Sequence, residues 1–192
     1  MTAKIYLTPE QISTVTKAKI ENVRANWPLV CDALARAEIN SPSVQAGMAA
    51  TIAIETGNFQ PVKEKESKNP ASAVYKAQRR YYPSGYYGRG YIQLTWKDNY
   101  KAAGLALGVD LLSKPDLALD PAISARIAAW FFQTKIVGGN DKRRLCIACA
   151  DADWAALRRG INGPGYTKDA PTYSRYLRFC ELFFGYAGKG EP

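Results

Sequence analysis

The sequence predicts a mainly α-helical single domain, with an irregular and partly extended segment in the middle of the chain. Three observations predict it. Apolar residues recur at helical spacing between recognisable helix-start signals. The central third turns polar and then becomes rich in tyrosine and glycine. The 192 residues, 47% of them hydrophobic, suffice for one well-filled core and are short for two. Residues 1–192 therefore read as one domain, with no linker and no internal repeat.

Thr8-Pro9-Glu10-Gln11 has the form of a helix start, with Thr8 as cap, Pro9 at the first helical position and Gln11 closing a capping box. Ile12, Val15, Ile20 and Val23 follow at helical spacing. A second helix is expected from about Pro28 to Ala37, with Leu29, Leu34 and Ala35 inward. Ser41-Pro42-Ser43 starts a third, Val44 to Glu55, which is apolar almost all round and so predicted to be buried. Gly57 is its stop. A short helix is expected around Ala71 to Arg80. Tyr81 to Gly90, with four tyrosines and glycines at 85, 88 and 90, reads as loop or short strands. Tyr91 to Leu94 reads as a brief extended piece and Asp98 to Leu107 as helix. Asp120-Pro121 opens another helix, with Ile123, Ile127, Trp130 and Phe131 on one stripe, broken by Gly138-Gly139-Asn140-Asp141. Asp151 or Asp153 caps a helix through Arg159. Gly160 to Gly165 reads as a glycine-rich turn, Pro171 to Phe184 as the last helix, and the tail from Gly185 as frayed.

Composition removes whole classes of chemistry. The chain has no histidine, which excludes Ser-His-Asp and Cys-His catalysis and leaves acid–base work to carboxylates, Lys or Tyr. Cys146 and Cys149 form one C-x-x-C, without the second pair or histidines that structural zinc takes. Cys31, Cys146, Cys149 and Cys180 therefore read as buried free thiols, and no metal or other cofactor is expected. The balance of 26 basic and 17 acidic residues gives +9. Such an excess suits polyanionic partners, or a solvated surface that keeps the chain soluble. The start, MTAKIYLTPEQ, lacks the apolar run of a secretory signal, and no stretch is long and apolar enough to span a membrane. Synthesis in a cytoplasm, without stable membrane insertion, is the expectation.

Glu55 stands out because it closes the apolar helix on the face of Val44, Met48 and Thr51 or Ile52. Apolar neighbours and the negative helix end would both raise its pKa and let it hold a proton for a leaving oxygen. The bland alternative is a glutamate on an exposed last turn. Glu64 and Glu66, among Lys63, Lys65 and Lys68, offer a second carboxylate kept ionised, or simply a solvated charged loop. In YYGRGYIQLTW, tyrosine rings give flat faces for sugars to stack on and glycines allow close backbone approach. Gln93, Thr95 and Asn99 add groups suited to hydroxyls and N-acetyl groups. The alternative is a structural loop packed under its own side chains.

I-E-T-G-N-F followed by Y-Y-G-R-G-Y-I-Q-L-T-W-x-x-N-Y resembles the family 19 glycoside hydrolases, which hold plant-type chitinases and many phage endolysins. The resemblance runs from about Gly47 to Asn162, ending in R-G-I-N-G at 159–163. It implies a lysozyme-like, α-rich catalytic domain with a small irregular segment beside the cleft and no separate wall-binding domain. It implies Glu55 as general acid and Glu64, nine residues on, as general base. Thr95 would hold the attacking water, while Gln93, Asn99 and Asn162 would bind sugar. Tyr87 is a further sugar-stacking candidate, and Arg175 loosely matches a late family arginine. Arg89 of G-R-G reads as structural. The sequence departs from the pattern at Ile54, where a histidine usually precedes the acid, and at Asn58, where a second glycine is common. Glu66 competes with Glu64 for the base role.

Size, cytoplasmic synthesis and positive charge point to the endolysin type: a monomeric peptidoglycan hydrolase that reaches the wall through a holin and acts at the periplasm or cell wall. Chitinase on N-acetylglucosamine polymers is the alternative within the family. A lytic transglycosylase-like activity would use Glu55 alone. From another class, a basic nucleic-acid-binding module would use the interleaved Arg and Tyr of 79–91 to stack bases.

Overall fold

The computed structural model describes residues 3–163 and 172–188. Helices dominate it, as the sequence predicts. Helix α1 (Pro9–Thr16) starts on the predicted box: Thr8 Oγ1 accepts from the Gln11 N–H, and Gln11 Oε1 accepts from the Thr8 N–H at 2.8 Å. The apolar spacing Ile12-Val15-Ile20-Val23 does not continue as one helix. Lys17 takes a left-handed conformation with φ of 63°. The hydroxyls of Ser13 and Thr16 hold the break, bonding the Ala18 carbonyl and N–H at 2.8 and 3.2 Å.

Helix α2 (Ile20–Arg36) then runs straight through the position expected to start it. Pro28 lies inside, removing one helical hydrogen bond at a cost of about 3 kcal/mol. The stripe Val23, Trp27, Val30 and Leu34 is fully buried and outweighs that cost. Trp27 also donates its indole N–H to the Leu7 carbonyl at 2.7 Å. Ala35, expected inward, is exposed, being one residue off this stripe.

Helix α3 (Pro42–Thr56) is capped by Ser41 and ended by Gly57 at φ 71°, both as expected. It is buried on nearly every side, with its most extensive packing against the last helix, α9 (Tyr173–Gly188). Gly47 permits that burial at one point, since a β-carbon there would meet Leu157 and Cys149 at 2.7 and 2.8 Å.

The middle of the chain is irregular. Strand β1 (Val62–Lys63) pairs antiparallel with β2 (Arg89–Gly90), in the register Val62 to Gly90 and Lys63 to Arg89. Helix α4 (Ala73–Gln78) and a 3-10 turn at Tyr82–Ser84 lie between them. Tyr91 to Gln93 is a turn, not the extended piece expected, and Leu94 bridges back to Arg89. Gly90 turns at φ 81° against the Ala118 carbonyl, where a β-carbon would come within 2.7 Å.

Helix α5 (Lys97–Leu107) and α6 (Pro121–Thr134), capped by Asp120, match the prediction closely. The glycine pair after α6 makes a hairpin of β3 (Ile136–Gly138) and β4 (Asp141–Arg144), which the sequence reading took only as a break. A short α7 (Leu145–Ala150), also missed, holds the C-x-x-C. Helix α8 (Trp154–Asn162) is capped by Asp153, while Asp151 ends α7. Gly160 to Asn162 are helical, not a turn: Gly160 lets α8 lie against Leu145 and the Val137 backbone. The rest of the turn expected to Gly165, and the Pro171 helix start, fall outside the described residues. Beyond Gly185, α9 remains helical to Gly188.

Buried side chains from every one of these helices except α4 form one core. All four thiols are buried and unbridged. Among the described residues, no helix is long and apolar enough to cross a membrane.

Candidate active site

A cleft of about 510 Å³ opens between the end of α3, the helices α6 and α8, and the irregular segment 62–96. Glu55 and Glu64 both line it, and so do Thr95, Gln93, Asn99 and Asn162. Chain topology brings them together. The β1–β2 pairing sets residue 64 beside Gly88, the turn after β2 presents 93–95, and α8 ends at Asn162.

Glu55 projects from the last turn of α3 with its side chain 17% exposed. Its surroundings are not the purely apolar ones expected. The Arg158 guanidinium, 3% exposed on α8, donates to Glu55 Oε1 at 2.7 Å. Arg158 also lies over the Tyr176 ring at 4.9 Å. Apolar neighbours and the helix end alone therefore do not define the electrostatics of this carboxyl. A buried cation faces it as well.

Glu64 is held differently. Its Oε1 accepts from the Tyr81 hydroxyl at 2.7 Å and from Gln78 Nε2 at 2.8 Å, and its Oε2 accepts from the Gly88 N–H at 2.9 Å. Its own N–H donates to the Gly88 carbonyl at 2.8 Å. Burial and the bond to Glu64 push the Tyr81 phenol well up from its ordinary value, so it stays a donor. Neither Lys63 nor Lys68 pairs with Glu64. Lys63 pairs with Asp116 at 3.2 Å and Lys68 with Glu66. Glu66 is exposed and does not line the cleft, so geometry favours Glu64 over it.

Thr95 donates its hydroxyl proton to the Gln93 carbonyl at 2.8 Å, which leaves its oxygen to accept from a guest in the cleft. Two residues flanking it take left-handed backbone, Gln93 at φ 53° and Trp96 at φ 78°. Gln93 locks this turn: its Nε2 donates to the carbonyls of Val62 and Gly90 at 2.9 and 3.0 Å. That use of its amide protons leaves only its oxygen for a ligand. Asn99 similarly spends one amide proton on the Thr95 carbonyl at 2.8 Å.

Two expected residues lie apart. Tyr87 stacks on Tyr82 at 4.3 Å beneath the Arg89 guanidinium and does not line the cleft. Its ring is used inside the loop, the bland alternative for this segment. Arg175 lines a different groove. Arg89 is structural as read: it is 3% exposed, and its guanidinium bonds Asp116, the Gly85 and Tyr87 carbonyls and the Tyr100 hydroxyl.

Sequence reasoning missed Arg158, Gln78, Tyr81 and Lys135. Arg158 sits beside the arginine of the quoted R-G-I-N-G. The strong amphipathicity of α8 was the available signal, because residue 158 falls on its buried side with Trp154 and Leu157. Lys135 ends α6 at the rim of the cleft, where nothing in its local sequence marks it.

The comparisons agree with this geometry. Residues 36–160 match the family model described as chitinase class I, glycoside hydrolase family 19. Endochitinase A2 of Pisum sativum is 58% identical over 120 residues, covering 51% of this chain and 36% of that protein. Inactive chitinase-like protein 1 of Hevea brasiliensis is 49% identical over 145 residues, covering 62% and 45%. The chain thus spans less than half the length of these relatives. Among solved structures, a bacterial family 19 chitinase superposes with a TM-score of 0.68 at 24% identity, covering 98% of this chain and 97% of that one. Chitinase C from Streptomyces griseus gives 0.67 at 23% identity, covering 97% and 79%. These likenesses confirm the lysozyme-like, helix-rich fold. The relatives are plant and bacterial chitinases, so they support the family without reaching the phage endolysin type. With its motif residues gathered around one cleft and most of its length matching the family model, the chain belongs to glycoside hydrolase family 19.

Proposed function

We propose that this chain is a glycosidase that hydrolyses β-1,4 bonds between N-acetylated amino sugars with inversion, and that chitin-type N-acetylglucosamine polymers are its substrate. One observation carries the reading: two carboxylates from different parts of the fold line one sugar-sized cleft in contrasting settings. Glu55 protonates the glycosidic oxygen. Glu64 takes a proton from a water, which Thr95 helps to hold, as that water attacks the opposite face of the sugar. Inverting enzymes keep their carboxyls roughly 6.5–9.5 Å apart to leave room for such a water. Gln93 Oε1, Asn99 and Asn162 supply polar contacts along the cleft, and the exposed indole of Trp96 supplies an apolar one. The matching endochitinases favour chitin-type glycans as substrate.

A second substrate has its own support. The charge of +9 favours the acidic stem peptides and polymers of a bacterial wall, which keeps peptidoglycan cleavage of the endolysin type as the rival within the same chemistry. That reading would require a route from the cytoplasm to the wall, such as a holin.

The test is to incubate the purified chain separately with an N-acetylglucosamine hexamer and with purified peptidoglycan. Products are identified by mass spectrometry and the first-formed anomer by proton NMR. Shorter chitin oligomers appearing first as the α-anomer would support the proposal. Reducing-end muramic acid from peptidoglycan alone would select the rival. A first-formed β-anomer, anhydro sugars, or no cleavage of either substrate would overturn the mechanism.

A further inference from the structure

The structure carries a second groove, of about 760 Å³, that shares no residue with the catalytic cleft. It runs between the end of α1 and the outer face of α9. Thr14, Val15, Thr16 and Lys17 form one side; Ser174, Arg175, Arg178, Phe179 and Leu182 form the other. Both elements lie outside the segment that matches the family model, so nothing about that segment accounts for it.

The lining has a definite chemistry. It holds three cations, three hydroxyls and three apolar side chains, and no acidic residue. Arg175, Arg178 and Lys17 are exposed and make no ion pair with any described residue. Of the acidic residues on the two elements, Glu10 is engaged by Arg24 at 2.9 Å and Glu181 is exposed on α9 outside the lining. On α9, Tyr176, Cys180, Phe183 and Ala187 face the core, while Ser174, Arg175, Arg178 and Leu182 lie outward and Phe179 sits at the boundary against Phe183. From residue 174 to 182 this lining extends about 12 Å along the helix, too long for one small anion. Phe179 and the 39%-exposed Leu182 add apolar surface along it.

We propose that this groove binds a polyanionic chain, specifically a phosphodiester-linked polyol or sugar polymer. The three cations would meet successive phosphates, Thr14 and Ser174 the hydroxyls, and Phe179 and Leu182 the carbon skeleton between charges. The groove would then hold the chain against a phosphate-bearing surface while the separate cleft works on neutral glycan. The inference does not depend on which sugar the cleft cuts.

The experiment measures binding of a fluorescent poly(glycerol phosphate) to the full chain by anisotropy, between about 50 and about 200 mM salt. Three phosphate contacts predict a log–log salt slope of about −2, at roughly 0.7 per contact. The double variant Arg175→Gln/Arg178→Gln should weaken binding at low salt at least about tenfold and bring the slope to about −0.7. Its cleavage of a soluble N-acetylglucosamine hexamer should match the wild type, which separates failure of this inference from failure of the catalytic reading. The control Lys101→Gln/Lys114→Gln removes the same charge from exposed sites elsewhere and should leave binding within about twofold. Equal weakening by that control, unchanged binding in the arginine variant, or tighter binding of a single-stranded DNA oligonucleotide of matched charge would each overturn the proposal.

Discussion

The two walls of the cleft reach a similar result by opposite means. On one side, Glu55 comes from a helix buried on nearly all faces and is gripped by a buried arginine from α8. On the other, Glu64 sits between two-residue strands and turns and is gripped by three uncharged donors. The first wall takes its rigidity from the core of the protein. The second takes it from hydrogen bonds that an irregular backbone makes with itself, through Gln93, Gln78 and the Glu64–Gly88 pair. A change in the first wall should therefore disturb stability and rate together, and a change in the second should disturb rate with little loss of stability.

The strongest way to break that contrast is to remove the carboxylates in turn. Glu55→Gln and Glu64→Gln should each lower hydrolysis by about 10²–10⁴-fold, the usual worth of a proton-transfer group. They should part company in thermal unfolding. Glu55→Gln removes the charge of the carboxylate to which the buried Arg158 donates at 2.7 Å and should lower Tm. Glu64→Gln orphans no charge but turns one acceptor oxygen towards the donors Gln78, Tyr81 and Gly88 into a donor, so its Tm loss should be the smaller of the two. Equal Tm losses would mean that the two walls do not differ as described.

Next in size is Arg158→Met. Removing one partner of a largely buried ion pair costs roughly 3 kcal/mol, because the other charge remains. For a chain of this length that is a Tm loss of about 6–12 °C. Adding Glu55→Gln to Arg158→Met should return part of it, since the stranded carboxylate is then gone. A purely additive double mutant would show that the pair contributes nothing specific.

A smaller effect tests the second wall. Gly88→Ala would place a β-carbon 2.7 Å from Gln93 Oε1 and 3.2 Å from Glu64 Oε2. Both are side-chain ends that can yield, so stability should fall by no more than about 1 kcal/mol. Yielding displaces the proposed base, and the rate should fall about tenfold or more with KM little changed. A drop in Tm comparable to that of Arg158→Met, with normal turnover of the folded fraction, would count against the contrast.

The same division governed what the sequence could reveal. Elements with local causes were legible: the Thr8 box, the Ser41 and Asp120 caps, the Gly57 stop, and the buried face of α3 all depend on residues within a turn of each other. Pro28 misled because its local preference is overridden by a buried stripe of distant contacts. The Gly138–Asp141 hairpin and α7 are too short to show periodicity. At the site, Glu55, Glu64, Thr95, Gln93 and Asn99 stood out by residue type and setting, and the resemblance added Asn162 and a role for each. Arg158, Tyr81 and Gln78 did not stand out, because they act through a partner 103, 17 and 14 residues away, respectively. Tyr87 looked like a sugar platform from composition, yet its ring is spent on Tyr82 and Arg89.

The smallest predicted effect concerns the hairpin that follows Lys135 at the rim of the first wall. Arg143 clasps Asp141, Asp151 and Asp153 at 2.6–2.8 Å, joining β4 to the start of α8. Hydrogen bonds from Arg143 hold the Asp141 carboxyl at about 2, below its ordinary 3.8. A carboxyl depressed by folding stabilises the native state fully above its unfolded value near 4 and loses that contribution as pH falls towards 2. Asp141→Asn should therefore lower Tm modestly at pH 7, and the gap from wild type should narrow between about pH 4 and about pH 2. Hydrolysis at neutral pH should change little, because none of the clasp residues lines the cleft or pairs with either of its carboxylates. A rate loss without a Tm loss would instead mean that the hairpin positions the cleft directly, and the first wall would then owe its rigidity to this clasp as well as to the core.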